Sequence, residues 1–260
     1  MHGGQRAYFS TTLTEQTEQF ASLSLEDLTN TAIKYARQDK ISEAQQVVHA
    51  LIDRGEHSAL SNLSTNFLDM WQRTQSRMLE TAKGGKLTHL ESDSLLEEMI
   101  NVAEAATLVL EKISEPSAHH RTSVLSLWAS ILEAAKAQKV SKLRTLKGIP
   151  QRMEHILASE PSSTENYNCI LKAWALSNEP LRGTMAQQTF SKIESPSGES
   201  FRWAMRASCW SGEGNGAFHA TSHFMRMMKL IHTLQDFEPM IEDYHSVLES
   251  WSVSRCVQMI

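Results

Sequence analysis

Across residues 164–194 the apolar positions keep to one side of a helix: Tyr167, Ile170, Leu171 and Trp174 stand at i, i+3, i+4 and i+7. That spacing makes a stripe about 100° wide. Asn178, Glu179, Pro180 and Gly183 interrupt it, and a second amphipathic run with Met185, Phe190 and Ile193 returns before Ser195, Pro196, Ser197 and Gly198 close the unit. The pattern predicts a helical hairpin. The stripe recurs as Tyr244, Val247, Leu248 and Trp251, in part as Val124, Leu125 and Trp128 with Arg121 in the tyrosine place, and in degenerate form as Trp203, Arg206, Ala207 and Trp210. Tryptophans 128, 174, 210 and 251 are separated by 46, 36 and 41 residues, and Pro116, Pro161, Pro196 and Pro239 each precede a stripe. A period of roughly 20–50 residues marks stacked hairpins that cannot bury their apolar faces singly.

The front of the chain repeats the theme loosely. Residues 25–55 predict a hairpin, with Leu28, Ile33 and Ala36 on one helix, Ser24 as its N-cap, and Ile41, Ala44, Val47, Val48, Leu51 and Ile52 on the partner that Gly55 ends. Helices follow over 62–82 and 92–113, so 22–115 reads as degenerate hairpins. From 116 to 260 the array is regular: 118–137 with 140–159, 164–194, then 200–210 with 221–237 across the insert 211–216. A last helix over 241–257 has no following partner, so the final repeat reads as incomplete. The class predicted is all-α.

Charge divides the chain. The net is −5 over 260 residues, but residues 1–116 hold ten basic and seventeen acidic side chains, a net of −7, while 117–260 hold fifteen and thirteen, a net of +2. The second half is the better place to meet a polyanion. Within it, 136–152 carries Lys136, Lys139, Lys142, Arg144, Lys147 and Arg152 and no acid, a set suited to phosphate contacts. Residues 1–14 also lack acids, and Arg6-Ala7-Tyr8-Phe9-Ser10 has the arginine, aromatic and serine context of a mitochondrial transit segment.

TENYNCILKAWALSN and IEDYHSVLESWSVSR resemble the first helix of pentatricopeptide repeats, which opens on a tyrosine-asparagine step followed by aliphatics. Tyr167-Asn168 is the closest match, and Gln151-Arg152-Met153-Glu154 is similar to the second helix. The resemblance spans 116–260 and extends loosely to the first 115 residues; tetratricopeptide arrays share the same geometry. It implies an α-solenoid of antiparallel hairpins, a superhelix that binds single-stranded RNA at about one base per repeat. Carried across residue by residue, it implies base-reading pairs Thr122 with Ser163, Asn168 with Glu199, and Ala204 with Met240, of which the last lacks hydrogen-bonding side chains. It also implies wedge positions at His119, Glu165, Phe201 and Glu242, where His119 and Phe201 can stack on a base and the glutamates repel phosphate.

The expected function is therefore organellar RNA binding in support of processing, stability or translation, in the mitochondrion. The alternative is a non-enzymatic scaffold for a protein partner on the same face. No catalytic motif, cofactor or small-molecule substrate is indicated. Cys169, Cys209 and Cys256 form no CxxC and read as buried thiols in a reducing compartment. His219 and His223 stand at i and i+4 without a third ligand, so no metal site is expected; no run of about 18 apolar residues predicts a membrane span.

Overall fold

The computed structural model describes residue 20 and residues 22–85, 87–140, 146–157, 163–211, 215–231 and 239–258, with the side chains at 231 and 253–258 left out. The transit-like residues 1–14 lie outside that set. The described residues form eleven α-helices and no strand, as the periodicity predicts. The chain divides into two compact units, Met1–Met78 with Glu98–Leu127, and Leu79–Glu97 with Trp128–Ile260.

In the first unit, α1 (Leu25–Arg37) and α2 (Ile41–Asp53) make the predicted hairpin. Ser24 accepts the Asp27 amide at 3.1 Å, and the apolar faces bury Leu28, Ala32 and Ala36 against Val47, Val48 and Leu51. Asp39 turns the chain with φ +53° and receives Arg77 at 2.9 Å and Arg73 at 3.4 Å. Both arginines come from α3 (His57–Gly84), whose Phe67 and Trp71 rings stack at 5.8 Å inside the core. Gln75 reaches the Met99 carbonyl of α4 (His89–Lys112) at 3.2 Å, which fixes the register of those two helices.

The second unit is organised around α7 (Thr164–Leu176) and α9 (Gly198–Trp210). Helix α7 packs on α6 (Ile149–Leu157), α8 (Arg182–Ser191) and α9; α9 packs on α8, on α10 (Gly216–Ile231) and on α11 (Ile241–Gln258). Glu133 of α5 (Ala118–Ala137) holds Lys83 at 2.8 Å and Lys172 of α7 at 2.5 Å. Burial alone would raise the Glu133 pKa, but the two ammonium groups more than offset that and lower it. Trp174 is 1% exposed and donates its indole N–H to Glu154 at 3.1 Å, an acceptor shared with Thr189 at 2.8 Å, so three helices meet on one carboxylate.

Three helix starts differ from the prediction by five residues or more, the first being α3, which begins at His57 rather than at 62. Within the stretch 140–159 expected to be helical, α6 starts at Ile149 after a turn over 146–148, because Gly148 takes φ +78° and Pro150 fits the first turn of a helix. Helix α10 starts earlier than expected, at Gly216, where a Cβ would lie 2.5 Å from the Ser208 carbonyl oxygen. Glycine is what lets these two backbones approach.

The register of the third copy also needs correction. Counted from the first helical residue, Trp128, Trp174 and Trp251 are each eleventh in α5, α7 and α11, whereas Trp210 is thirteenth in α9. The residues of α9 equivalent to the Tyr167 stripe are thus Phe201, Ala204, Met205 and Ser208, all buried, rather than Trp203, Arg206, Ala207 and Trp210. Trp128 and Trp174 are fully buried, Trp210 is partly buried, and Trp251 is 38% exposed, so the four indoles are not equivalent.

Candidate anion-binding site

A partly enclosed cavity of about 600 Å³ opens in the second unit where the ends of α5 and α7 meet the starts of α6 and α8 and the end of α9. Lys136 and Lys139 come from the end of α5. There the chain leaves the helix through a left-handed residue, Lys139 at φ +56°, with Val140 N–H donating to the Ala135 carbonyl at 2.8 Å. Lys147 precedes Gly148, whose amide donates to Glu179 at 3.1 Å. Arg182, on the first turn of α8, donates to the carbonyl of Ser177, the residue that caps α7. The four cations face a single lining carboxylate, Glu179, and Leu132, Ala135, Val140, Leu146, Leu176 and Pro180 supply an apolar wall.

The Lys136 ammonium lies 3.5 Å from the centroid of the Trp210 ring. Desolvation there lowers its pKa, and Arg182 and Arg206 lower it further against the opposing pull of Glu249. Among the described residues no carboxylate lies within ion-pair distance of Lys136, Lys139 or Lys147. Such an excess of positive charge around a concave apolar wall favours a ligand that is anionic at one end.

The predicted phosphate contacts are therefore divided. Lys136, Lys139 and Lys147 converge on the cavity, while Arg152 sits 4.4 Å over the Trp128 ring instead. Lys142 and Arg144 lie outside the described residues. Arg182 and Trp210 escaped the sequence reading because they join the site from elements 30 or more residues further along. The signal available was the break at Asn178 to Pro180, which had to turn the chain back onto the end of α5.

The residues assigned to bases are placed differently. Asn168 is 7% exposed; its amide donates to Ser197 at 3.2 Å and its carbonyl accepts from Ser200 at 2.6 Å. It therefore locks α7 onto the capping box that opens α9. In the corrected register Arg202 occupies the same place in α9 that Asn168 has in α7. Its Nε donates to both oxygens of Asp243 in α11, at 3.1 and 3.2 Å. Asn168 and Arg202, at positions that would meet bases in a pentatricopeptide array, here join α7 to α9 and α9 to α11.

Phe201 is also corrected: it is 1% exposed, with Phe190 at 5.0 Å and His223 at 6.3 Å, and has no face to offer a base. Ser163 caps α7 by accepting the Asn166 amide at 3.3 Å. The Thr122 hydroxyl donates to Ala118 within its own helix at 2.9 Å. Glu199 stays exposed and accepts the Trp203 indole N–H at 3.0 Å. His119 is exposed, 4.0 Å from Asp69. Within the second unit, Asn168, Ser163 and Phe201 are thus spent on joining, capping and packing rather than offered to a base.

Burial raises the Cys209 thiol to about 12 and the Cys169 thiol to about 11, which removes both as nucleophiles near neutral pH. The side chain of Cys256 is outside the described set. Among the described residues no cluster of histidine, cysteine or carboxylate could hold a metal ion, and no helix is long and apolar enough to cross a membrane. No protein-family model, curated protein or solved structure matches the chain.

Proposed function

We propose that the chain is a non-enzymatic protein built of repeated helical hairpins, resembling a pentatricopeptide array, that binds single-stranded RNA in the mitochondrion through phosphates rather than base edges. The observation that supports this reading is the convergence of Lys136, Lys139, Lys147 and Arg182 on one concave site with a single opposing carboxylate. Hydrogen bonding to base edges has no part in it, since Asn168 and Arg202 are committed to neighbouring helices. The mitochondrial assignment rests on the sequence around Arg6.

The test is fluorescence anisotropy of a labelled single-stranded RNA between 50 and 200 mM salt. Four phosphate contacts give a log–log salt slope of about −3, and replacing Lys136, Lys139 and Lys147 with glutamine reduces it to about −1. Absence of measurable binding at the lowest salt rejects the reading. A second reading, a scaffold for a protein partner, is favoured by the exposed apolar residues Ile241, Tyr244, Leu248 and Trp251 on α11. Ultraviolet crosslinking in isolated mitochondria separates the two: recovered RNA supports the first, and a stable co-purifying protein without RNA supports the second.

A further inference from the structure

The charge and shape of the same cavity bear on which phosphate chemistry suits it. Its lining carries four cations against Glu179, and Glu179 is already engaged by the Gly148 amide at 3.1 Å. A phosphodiester within a strand presents one negative charge, whereas a phosphomonoester presents about 1.5 to 2 at neutral pH. The site is partly enclosed, with the break at Asn178 to Pro180 and the α5 terminus both contributing to its lining. A volume of about 600 Å³ falls within the range that takes one compact ligand. The apolar wall and the partly buried Trp210 ring leave one flank suited to a planar group. Lys136 now covers that ring, and turning its flexible side chain toward an arriving phosphate would uncover the indole face.

We infer that the cavity is a pocket for a nucleoside monophosphate, its phosphate held by Lys136, Lys139, Lys147 and Arg182 and its base set against Trp210 and the Leu132 side of the wall. This deepens the RNA reading and rests on it for the source of the ligand. Two sources share the chemistry: the 5′-phosphorylated terminal nucleotide of an RNA, and the free nucleotide.

Isothermal titration of the full chain with AMP, adenosine and inorganic phosphate tests the pocket. One saturable AMP site per chain is expected, with adenosine and phosphate each at least about tenfold weaker. The variants K136Q/K139Q and W210L should each weaken AMP by about tenfold or more, the lysine pair without change in the thermal midpoint, since both lysines are exposed. AMP binding no tighter than phosphate, or undiminished in both variants, overturns the inference. A labelled oligoribonucleotide with either a 5′-phosphate or a 5′-hydroxyl then separates the sources. Preference for the phosphorylated end, with displacement by AMP, identifies the RNA terminus. Equal binding of both ends without displacement by AMP removes the inference and leaves the RNA reading standing. AMP binding with no oligonucleotide binding removes the RNA reading and leaves a free-nucleotide pocket.

Discussion

His223 makes the second unit sensitive to acid. It is 2% exposed, its ring lies 4.5 Å from Phe190, and neither ring nitrogen has a hydrogen-bond partner among the described residues. Burial, followed by the charges of Arg226 and His219, pushes its pKa from 6.5 down to about 4. The unfolded chain therefore binds a proton at this site between about pH 6.5 and pH 4 that the folded chain refuses. Unfolding stability rises with pH wherever the unfolded state binds more protons, so this contribution is intact above about pH 6.5 and is lost as pH falls toward 4. The linkage costs about 2 kcal/mol at pH 5 and about 3 kcal/mol at pH 4. Urea unfolding followed by circular dichroism at pH 7 and pH 5 reads it, with His223→Leu as the control. Leucine is of similar size and does not titrate. The variant should be neutral or stabilising at pH 7, because two buried unsatisfied nitrogens are removed, and should lose about 2 kcal/mol less than the parent between pH 7 and 5. Equal losses in the two proteins would show that His223 titrates normally and that the core around Phe190 and Phe201 admits water.

Three further outcomes follow from the packing. Trp174→Ala should cost about 3–5 kcal/mol, and Trp251→Ala only about 1 kcal/mol; matching shifts in denaturation midpoint would restore the equivalence of the two indoles. Asn168→Ala should destabilise by about 1–3 kcal/mol through the Ser197 and Ser200 groups left behind, and leave RNA affinity unchanged. A stable variant with weakened RNA binding would instead return Asn168 to base reading. Lys139→Gly should stabilise modestly, by about 0.5 kcal/mol, as relief of the left-handed backbone outweighs the extra freedom of glycine in the unfolded chain. The same change should flatten the RNA salt slope by about 0.7, and a protein that is less stable yet binds as before contradicts both expectations.

The hairpins were legible because apolar spacing, serine caps and turn residues agree locally. Ser24, Gly55 and the break at Pro180 each mark a real helix end. The register of α9 was not, because an indole is the most conspicuous residue in a stripe and Trp210 lies two residues beyond the true position. The serines before α5, α7 and α9 (Ser117, Ser163 and Ser197) are the better marks, since a cap fixes where counting starts. Half of the cavity was legible as well. Its lysines form one acid-free run, but Arg182 and Trp210 join them only through helix packing that periodicity does not reveal. Asn168 shows the converse limit: its type suits a base edge and a helix cap equally, and only the neighbouring Ser200 decides between them.

Two of the joints between successive first helices are chemically different. An amide meets hydroxyls where α7 joins α9, and a guanidinium meets a carboxylate where α9 joins α11. Exchanging the partners would leave Asn168 beside an uncompensated Asp243 and Arg202 without an anion. The chain thus carries an address at each joint that dictates which rod may follow which. Transplanting or duplicating one hairpin should succeed only when its address travels with it.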